Sequence, residues 1–197
     1  GLYHLLNHAC FKSLLFLNAG SILYTTGTRD LNKIGGLSKL MPLTAATALV
    51  ASLSISGMPI FNGFISKWLI FQVTILGGIA QPLYVILGLF ALFTSAVTLA
   101  SFIKFLATSF LGKTPGSLKS QTVREVPLTM QIPQVGLATM CIFLGILPVV
   151  VLPILYTSVS SLGLSSYLPR LEALFRGSHI GCLLYTYPSP RDRTRSR

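Results

Sequence analysis

Charge is scarce in this chain. Only 10% of its 197 residues are Asp, Glu, Lys or Arg, against about 25% in soluble domains. Hydrophobic residues make up 52%, and the mean hydropathy is +0.72. With long apolar runs, that balance excludes an ordinary water-soluble core and points to an integral membrane protein. Acidic residues are the scarcest: four Asp and Glu stand against fifteen Lys and Arg, a net charge of +11. The basic excess forms no stripe interleaved with aromatics, so it gives no groove for nucleic acid. It lies in loops and in the tail, the pattern of basic loops beside membrane spans. Cysteine is also sparse. Cys10, Cys141 and Cys182 include no C-x-x-C pair, and two sit in apolar runs, which argues against a disulfide framework or a zinc site. There is no nucleophile triad, P-loop, GxGxxG or pair of carboxylates, hence no sign of a self-contained enzyme. The opening residues do not read as a signal peptide, and no internal repeat or heptad is visible within these residues. The chain opens on Gly, partway through an apolar run, so a piece of a longer protein is expected.

What is present is a set of hydrophobic stretches. A membrane helix needs about 20 apolar residues at about 1.5 Å each. Hydropathy marks stretches at 2–25, 43–76, 83–111 and 132–156. The expectation is an all-α, polytopic transmembrane helix bundle of about four spans. The second stretch is too long for one straight crossing, and it holds "SISGMPIFNGFISKW". Pro59 removes a helical N–H and clashes with the carbonyl of Ile55. Gly57 and Gly63 flank it. Two half-helices joined by a break at 57–62 are expected, although a plain proline kink fits the same residues.

The loops give an orientation. Loop 26–41 holds Arg29, Lys33 and Lys39, loop 112–131 holds Lys113, Lys119 and Arg124, and the connection at 77–82 holds no charge. Positive-inside places both basic loops in the cytoplasm. Segment 157–176 reads as a C-terminal interfacial segment. The last stretch, 177–197, carries four Arg in its final seven residues and lacks hydrophobic periodicity. It reads as a disordered or foreign tail, or as a contact for anionic lipids.

Ionisable residues inside membrane spans are costly and read as functional by default. Lys12 lies halfway along the first stretch, and Lys67 lies eight residues past Pro59. Lys104, near a stretch end, reads instead as snorkelling to the interface. Burial disfavours the charged form of an amine, so a lysine without a carboxylate partner is poised between charged and neutral. His4, His8 and Lys12 advance by about 40° per step of four on a helix and so share one face. Each step rises about 6 Å, so water would have to bridge them. Asn7, Ser13 and Asn18 add polar groups to the same helix. Broken helices at membrane depth are where transporters often place ion sites. One reading therefore passes protons through water between His4, His8, Lys12 and Lys67. Two others stay open for the histidines: a metal or haem ligand pair, which lacks further ligands on that face, and plain hydrogen bonding within a bundle.

Three stretches together, "HLLNHACFKSLLFLNAGSI", "DLNKIGGLSKLMPLT" and "SISGMPIFNGFISKWLIF", resemble the proton-translocating antiporter-like membrane subunits. These include chains 2, 4 and 5 of respiratory complex I and the large subunits of Mrp Na+/H+ antiporters and membrane-bound hydrogenases. The resemblance covers about residues 1–156. It implies a subunit of roughly fourteen helices with two inverted five-helix repeats, this chain matching helices 11 to 14. It implies that His4, His8 and Lys12 lie on a central hydrophilic axis, that Lys67 is the ionisable residue at the exit side, and that Gly57, Pro59 and Gly63 form the helix break. The family's upstream lysine–glutamate pair has no counterpart here. "NGFISKW" looks nearer to the hydrogenase and Mrp-type subunits. The function implied is ion translocation, of H+ or Na+, in a redox-driven complex like NADH:quinone oxidoreductase (NADH dehydrogenase) or a membrane-bound hydrogenase. A Mrp-type cation/H+ antiporter subunit without a redox partner, or a structural subunit that has lost transport, are the alternatives. No cofactor or metal is implied in this chain; Fe–S clusters with flavin or NiFe would belong to the parent complex. Partners would be antiporter-like and small hydrophobic membrane subunits and lipids, in a bacterial or archaeal plasma membrane.

Overall fold

A computed structural model describes residues 1–79, 81–113, 123–148, 150–151 and 154–155. Segments 157–176 and 177–197 lie outside the described residues. The chain divides into two compact units, Gly1–Leu152 and Pro153–Arg197. Ile154 and Leu155, both helical, are what is described of the second.

The first unit is all-helical among its described residues. Helix α1 runs over Leu2–Thr26, 25 residues without a proline. It stops where Gly27 enters the left-handed region at φ 67° and returns its N–H to the Leu23 carbonyl, the usual glycine ending of a helix. Two short 3₁₀ turns, Leu31–Lys33 and Leu37–Lys39, lead to α2 (Pro42–Ser56), α3 (Asn62–Gly78) and α4 (Leu83–Leu106). A wide π-type turn, Ala107–Leu111, ends α4. Helix α5 covers Leu128–Ile146. Hydropathy puts the start of the corresponding stretch at 132. The chain starts it a turn earlier: the N–H groups of Met130 and Gln131 both bond the Pro127 carbonyl. Pro133 is absorbed inside the helix.

Among the described residues, two helices are long and apolar enough to cross a membrane by length and composition. They are Leu83–Leu111, with mean hydropathy 2.2, and Leu128–Ile146, with 1.4. Neither α2 nor α3 reaches about 20 residues alone. Helix α1 packs on α2, α3 and α5, while α4 lies on α2 and α3. One apolar cluster joins Phe11, Leu14, Ala51, Ile55, Ala138 and Leu144 from α1, α2 and α5. A second joins Ile34, Leu37 and Met41 to Phe110, Val123 and Val126. The two basic connections therefore pack together at one end of the bundle. Helix α4 turns large apolar groups outward: Phe90 is 66% exposed and Phe93 69%. Such a face suits lipid or another apolar surface and is unfavourable in water.

Candidate functional site

The break between α2 and α3 is built in two steps. At its end, α2 turns through Gly57 at φ 78°. Gly57 gives its N–H to the Ser54 carbonyl, and Met58 reaches back to Leu53 at 3.0 Å. This pair of bonds is the Schellman ending, which only a residue tolerant of positive φ completes cheaply. Pro59 follows and has no N–H with which to continue the helix. Ile60 then takes φ 81°, a region costly for a β-branched residue. Two glycines admit the bend. A Cβ on Gly63 would collide with the Ser54 carbonyl, and one on Gly145 of α5 would collide with the backbone at Ile60–Asn62. Gly57 and Pro59 thus sit in the broken segment, and Gly63 in the first turn of α3. Gly145 was not apparent from the sequence, because its role depends on α5 packing against the bend.

Beside the break lies a cavity of about 380 Å³. Its wall includes His4, His8 and Lys12 from α1, Ile55 from α2, Lys67 from α3, and Thr94, Ser95 and Thr98 from α4. The i, i+4 spacing puts the three α1 groups in a row, and the His4 and His8 rings stand 6.1 Å apart between centroids. His8 also meets Phe11 edge-on at 5.3 Å. His4 Nδ1 shares a hydrogen bond of 3.0 Å with Ser66 Oγ, and Ser66 Oγ also lies 3.2 Å from the Asn62 and Gly63 carbonyls. The Ser66 hydroxyl has one hydrogen. Either it serves a carbonyl and His4 carries the shared proton, or it donates to His4. Lys67 gives its amine to the Ile55 carbonyl at 2.8 Å. Lys12 is half-buried and has no hydrogen bond or ion pair among the described residues. Lys104 lies exposed in the last turn of α4, outside the cavity.

The cavity thus brings together all four sequence-derived ionisable residues, Lys12 and Lys67 being 55 residues apart in the chain. Ser66 and the α4 hydroxyls were not singled out from sequence. Thr94, Thr98 and Ser101 do form a hydroxyl stripe at spacings of three and four in an otherwise apolar helix, and that signal was available. Behind the cavity, Asn7 and Asn62 are fully buried, linked by Asn62 Nδ2 donating to the Asn7 carbonyl at 3.5 Å. Ser13, by contrast, points outward.

A second polar region occupies the loop end. Glu125 accepts the Leu43 N–H at 2.9 Å and the Thr44 N–H at 3.4 Å, and the Thr44 hydroxyl donates to its other oxygen. A carboxylate there satisfies orphan donors and the positive end of the helix dipole. One turn on, the Thr47 hydroxyl lies 2.8 Å from Asn18 Oδ1 and 3.3 Å from Gln134 Oε1. Gln134 gives its amide to Ser21 Oγ at 2.6 Å. Asn18, Ser21, Thr44 and Gln134 have no exposed surface.

Among the described residues, no three His, Cys, Asp or Glu come together as metal ligands. Cys10 and Cys141 are buried free thiols in the apolar cluster of α1, α2 and α5.

A helical bundle with paired histidines, two half-buried lysines and a broken helix around one cavity is an arrangement suited to an ion-handling membrane subunit. Residues 1–98 match the family described as "NADH:quinone oxidoreductase/Mrp antiporter, TM", and the chain belongs to that membrane-embedded family. It is 36% identical over 164 residues to formate hydrogenlyase subunit 3 of Escherichia coli K12, covering 81% of this chain and 27% of that protein. It is 40% identical over 152 residues to NADH-ubiquinone oxidoreductase chain 5 of Marchantia polymorpha, covering 74% and 22%. Among solved structures it resembles a chain of the membrane-bound sulfane sulfur reductase, an archaeal respiratory membrane complex. That likeness has TM-score 0.66 and 37% identity, and covers 73% of this chain and 23% of that one. The chain therefore spans about a quarter of the length of these relatives. The lean of "NGFISKW" toward the hydrogenase and Mrp branches does not separate them from complex I, since the identity to a chain 5 is as high.

Proposed function

We propose that this chain carries one stretch of a proton path in an ion-translocating membrane subunit. The single observation that carries the reading is the cavity into which His4, His8, Lys12 and Lys67 all open. Water in that cavity spans the roughly 6 Å between successive α1 groups, too far for direct hydrogen bonds. His4 exchanges a proton with Ser66 or with water, and Lys67 takes or releases one beside the break. The hydroxyls of Thr94, Ser95 and Thr98 offer further stations along the α4 wall. Helices α2 and α3 act together as one broken crossing, which makes four spans with α1, α4 and α5. The two basic loops face the cytoplasm of a bacterial or archaeal cell. The parent complex is redox-driven, as the names of the similar NADH-ubiquinone oxidoreductase and sulfane sulfur reductase suggest. Its redox centres (Fe–S clusters with flavin or NiFe) sit in other subunits, and its antiporter-like and small hydrophobic subunits and lipids cover the apolar face of α4.

A Mrp-type cation/H+ antiporter is the second reading, favoured by the family description, which names both branches. Replacing Na+ by an impermeant cation separates the two: proton flux in the reconstituted intact complex persists in the first case and falls in the second. The proton path itself is tested by Lys67→Ala in that complex. The reading expects flux to fall by about a hundredfold, the lower range for a lost proton-transfer group; undiminished flux would sink it.

A further inference from the structure

The seat of Lys67 has a structural origin in the break. The last four carbonyls of a helix have no partner within it. In α2 the Schellman ending satisfies Leu53 and Ser54. The Ile55 carbonyl would next be served by the N–H of residue 59, and Pro59 has none. Lys67 supplies the missing donor from α3, at 2.8 Å, at the negative end of the α2 dipole. Its stem reaches that carbonyl by crossing Gly57. A Cβ on Gly57 would stand 3.0 Å from Lys67 Cδ and 3.7 Å from Nζ, tight at the first and in ordinary contact at the second. Gly57 therefore does two things at one position: its positive φ ends α2, and its bare Cα leaves the lane in which Lys67 lies.

We infer that Gly57 and Pro59 are positioning residues for Lys67, holding its ammonium on the Ile55 carbonyl as one of two seats, the other being the cavity with His4 and His8. The inference rests on the proton-path reading above and adds a rule to it. A charged Lys67 caps α2. A Lys67 turned toward the histidines leaves the Ile55 carbonyl without that donor, and a neutral Lys67 keeps its N–H groups but loses the charge that the α2 dipole attracts, so the protonation of Lys67 and the geometry of the break are coupled. The titratable groups sharing this cavity with Lys67 are His4, His8 and Lys12, all on α1. Ile55 of α2 offers a carbonyl, α4 offers the hydroxyls of Thr94, Ser95 and Thr98, and α5 brings no residue to the wall.

The test separates the lane from the turn. Asn tolerates the left-handed region, so Gly57→Asn keeps the helix ending while placing a Cβ in the path of Lys67. Gly27→Asn is the control, because Gly27 has φ 67° with nothing within 4 Å of its Cβ position. Both variants go into the intact complex, reconstituted in vesicles, with proton flux followed by a pH-sensitive dye from acid to alkaline pH. Gly57→Asn should lower flux about tenfold, the least expected for losing a hydrogen bond to a charged group, and displace its pH profile. Gly27→Asn should leave both as they are. Wild-type flux and profile in Gly57→Asn, with flux still abolished by Lys67→Ala, would overturn the positioning role and leave the proton path standing. Full flux in Lys67→Ala would overturn both. If Gly57→Asn fails to assemble, Lys67→Arg decides. Its guanidinium can cap Ile55 but cannot give up its proton, so it should keep assembly and heat stability while losing flux; a heat stability as low as that of Lys67→Ala would refute the cap.

Discussion

At the cavity, His4, His8 and Lys12 from α1 face Lys67 of α3 with few fixed partners. At the loop end, Glu125, Thr44, Thr47, Asn18, Gln134 and Ser21 hold one another in a buried network. Both regions are polar, and both lie within one bundle. The first has groups that change charge and a hollow that can admit water. The second has amides and hydroxyls with almost no exposed surface, and its one carboxylate is tied to a helix N-terminus. Amides of Asn and Gln hold hydrogen bonds but do not readily pass protons along. On the proposed reading, polarity within a membrane bundle does not by itself mark a transport path. What distinguishes the cavity is ionisable groups whose partners can be exchanged.

Each prediction sets one region against the other, and the largest effect falls at the cavity. Lys67→Ala should cut proton flux of the intact complex by about a hundredfold while the complex still assembles. Lys12→Ala should follow with a loss of about tenfold or more, measured the same way, since Lys12 lines the cavity and has no hydrogen bond or ion pair among the described residues. At the loop end the signature should reverse. Glu125→Ala leaves the first turn of α2 uncapped and should cost about 1–2 kcal/mol in stability, seen as earlier heat unfolding, with flux per assembled complex kept. Gln134→Leu should cost less, about 0.6–1.7 kcal/mol for an interhelical hydrogen bond in a membrane, again with flux kept. Removing residues 178–197 should change neither insertion nor flux. A transport loss from Glu125→Ala or Gln134→Leu that stability does not account for would erase the contrast.

Much of the cavity was legible in the sequence because its signals are local. The steps of four from His4 to Lys12 and the Gly57–Pro59–Gly63 cluster can be read from spacing and residue chemistry alone. Partners that come from packing could not be read in that way. Ser66 acquires a role only once α3 lies against His4. Gly145 matters only where α5 meets the bend. Glu125 looked like one charge in a basic loop, because its contact with Thr44 joins residues 81 apart. The extra turn of α5 was hidden because it rests on the Met130 and Gln131 N–H groups bonding the Pro127 carbonyl, which hydropathy does not report. The resemblance to antiporter-like subunits was correct at the level of the family, and the ion moved and the driving reaction rest on tests of the whole complex.

If the cavity lysines move protons and the loop-end network does not, one experiment separates the two regions. The most direct measurement is proton flux through the reconstituted intact complex carrying Lys12→Ala and Lys67→Ala together, beside Gln134→Leu. Flux at the level of empty vesicles for the first and near wild type for the second is the expected result. Wild-type flux in the double lysine variant would contradict the account and leave the chain with a structural role.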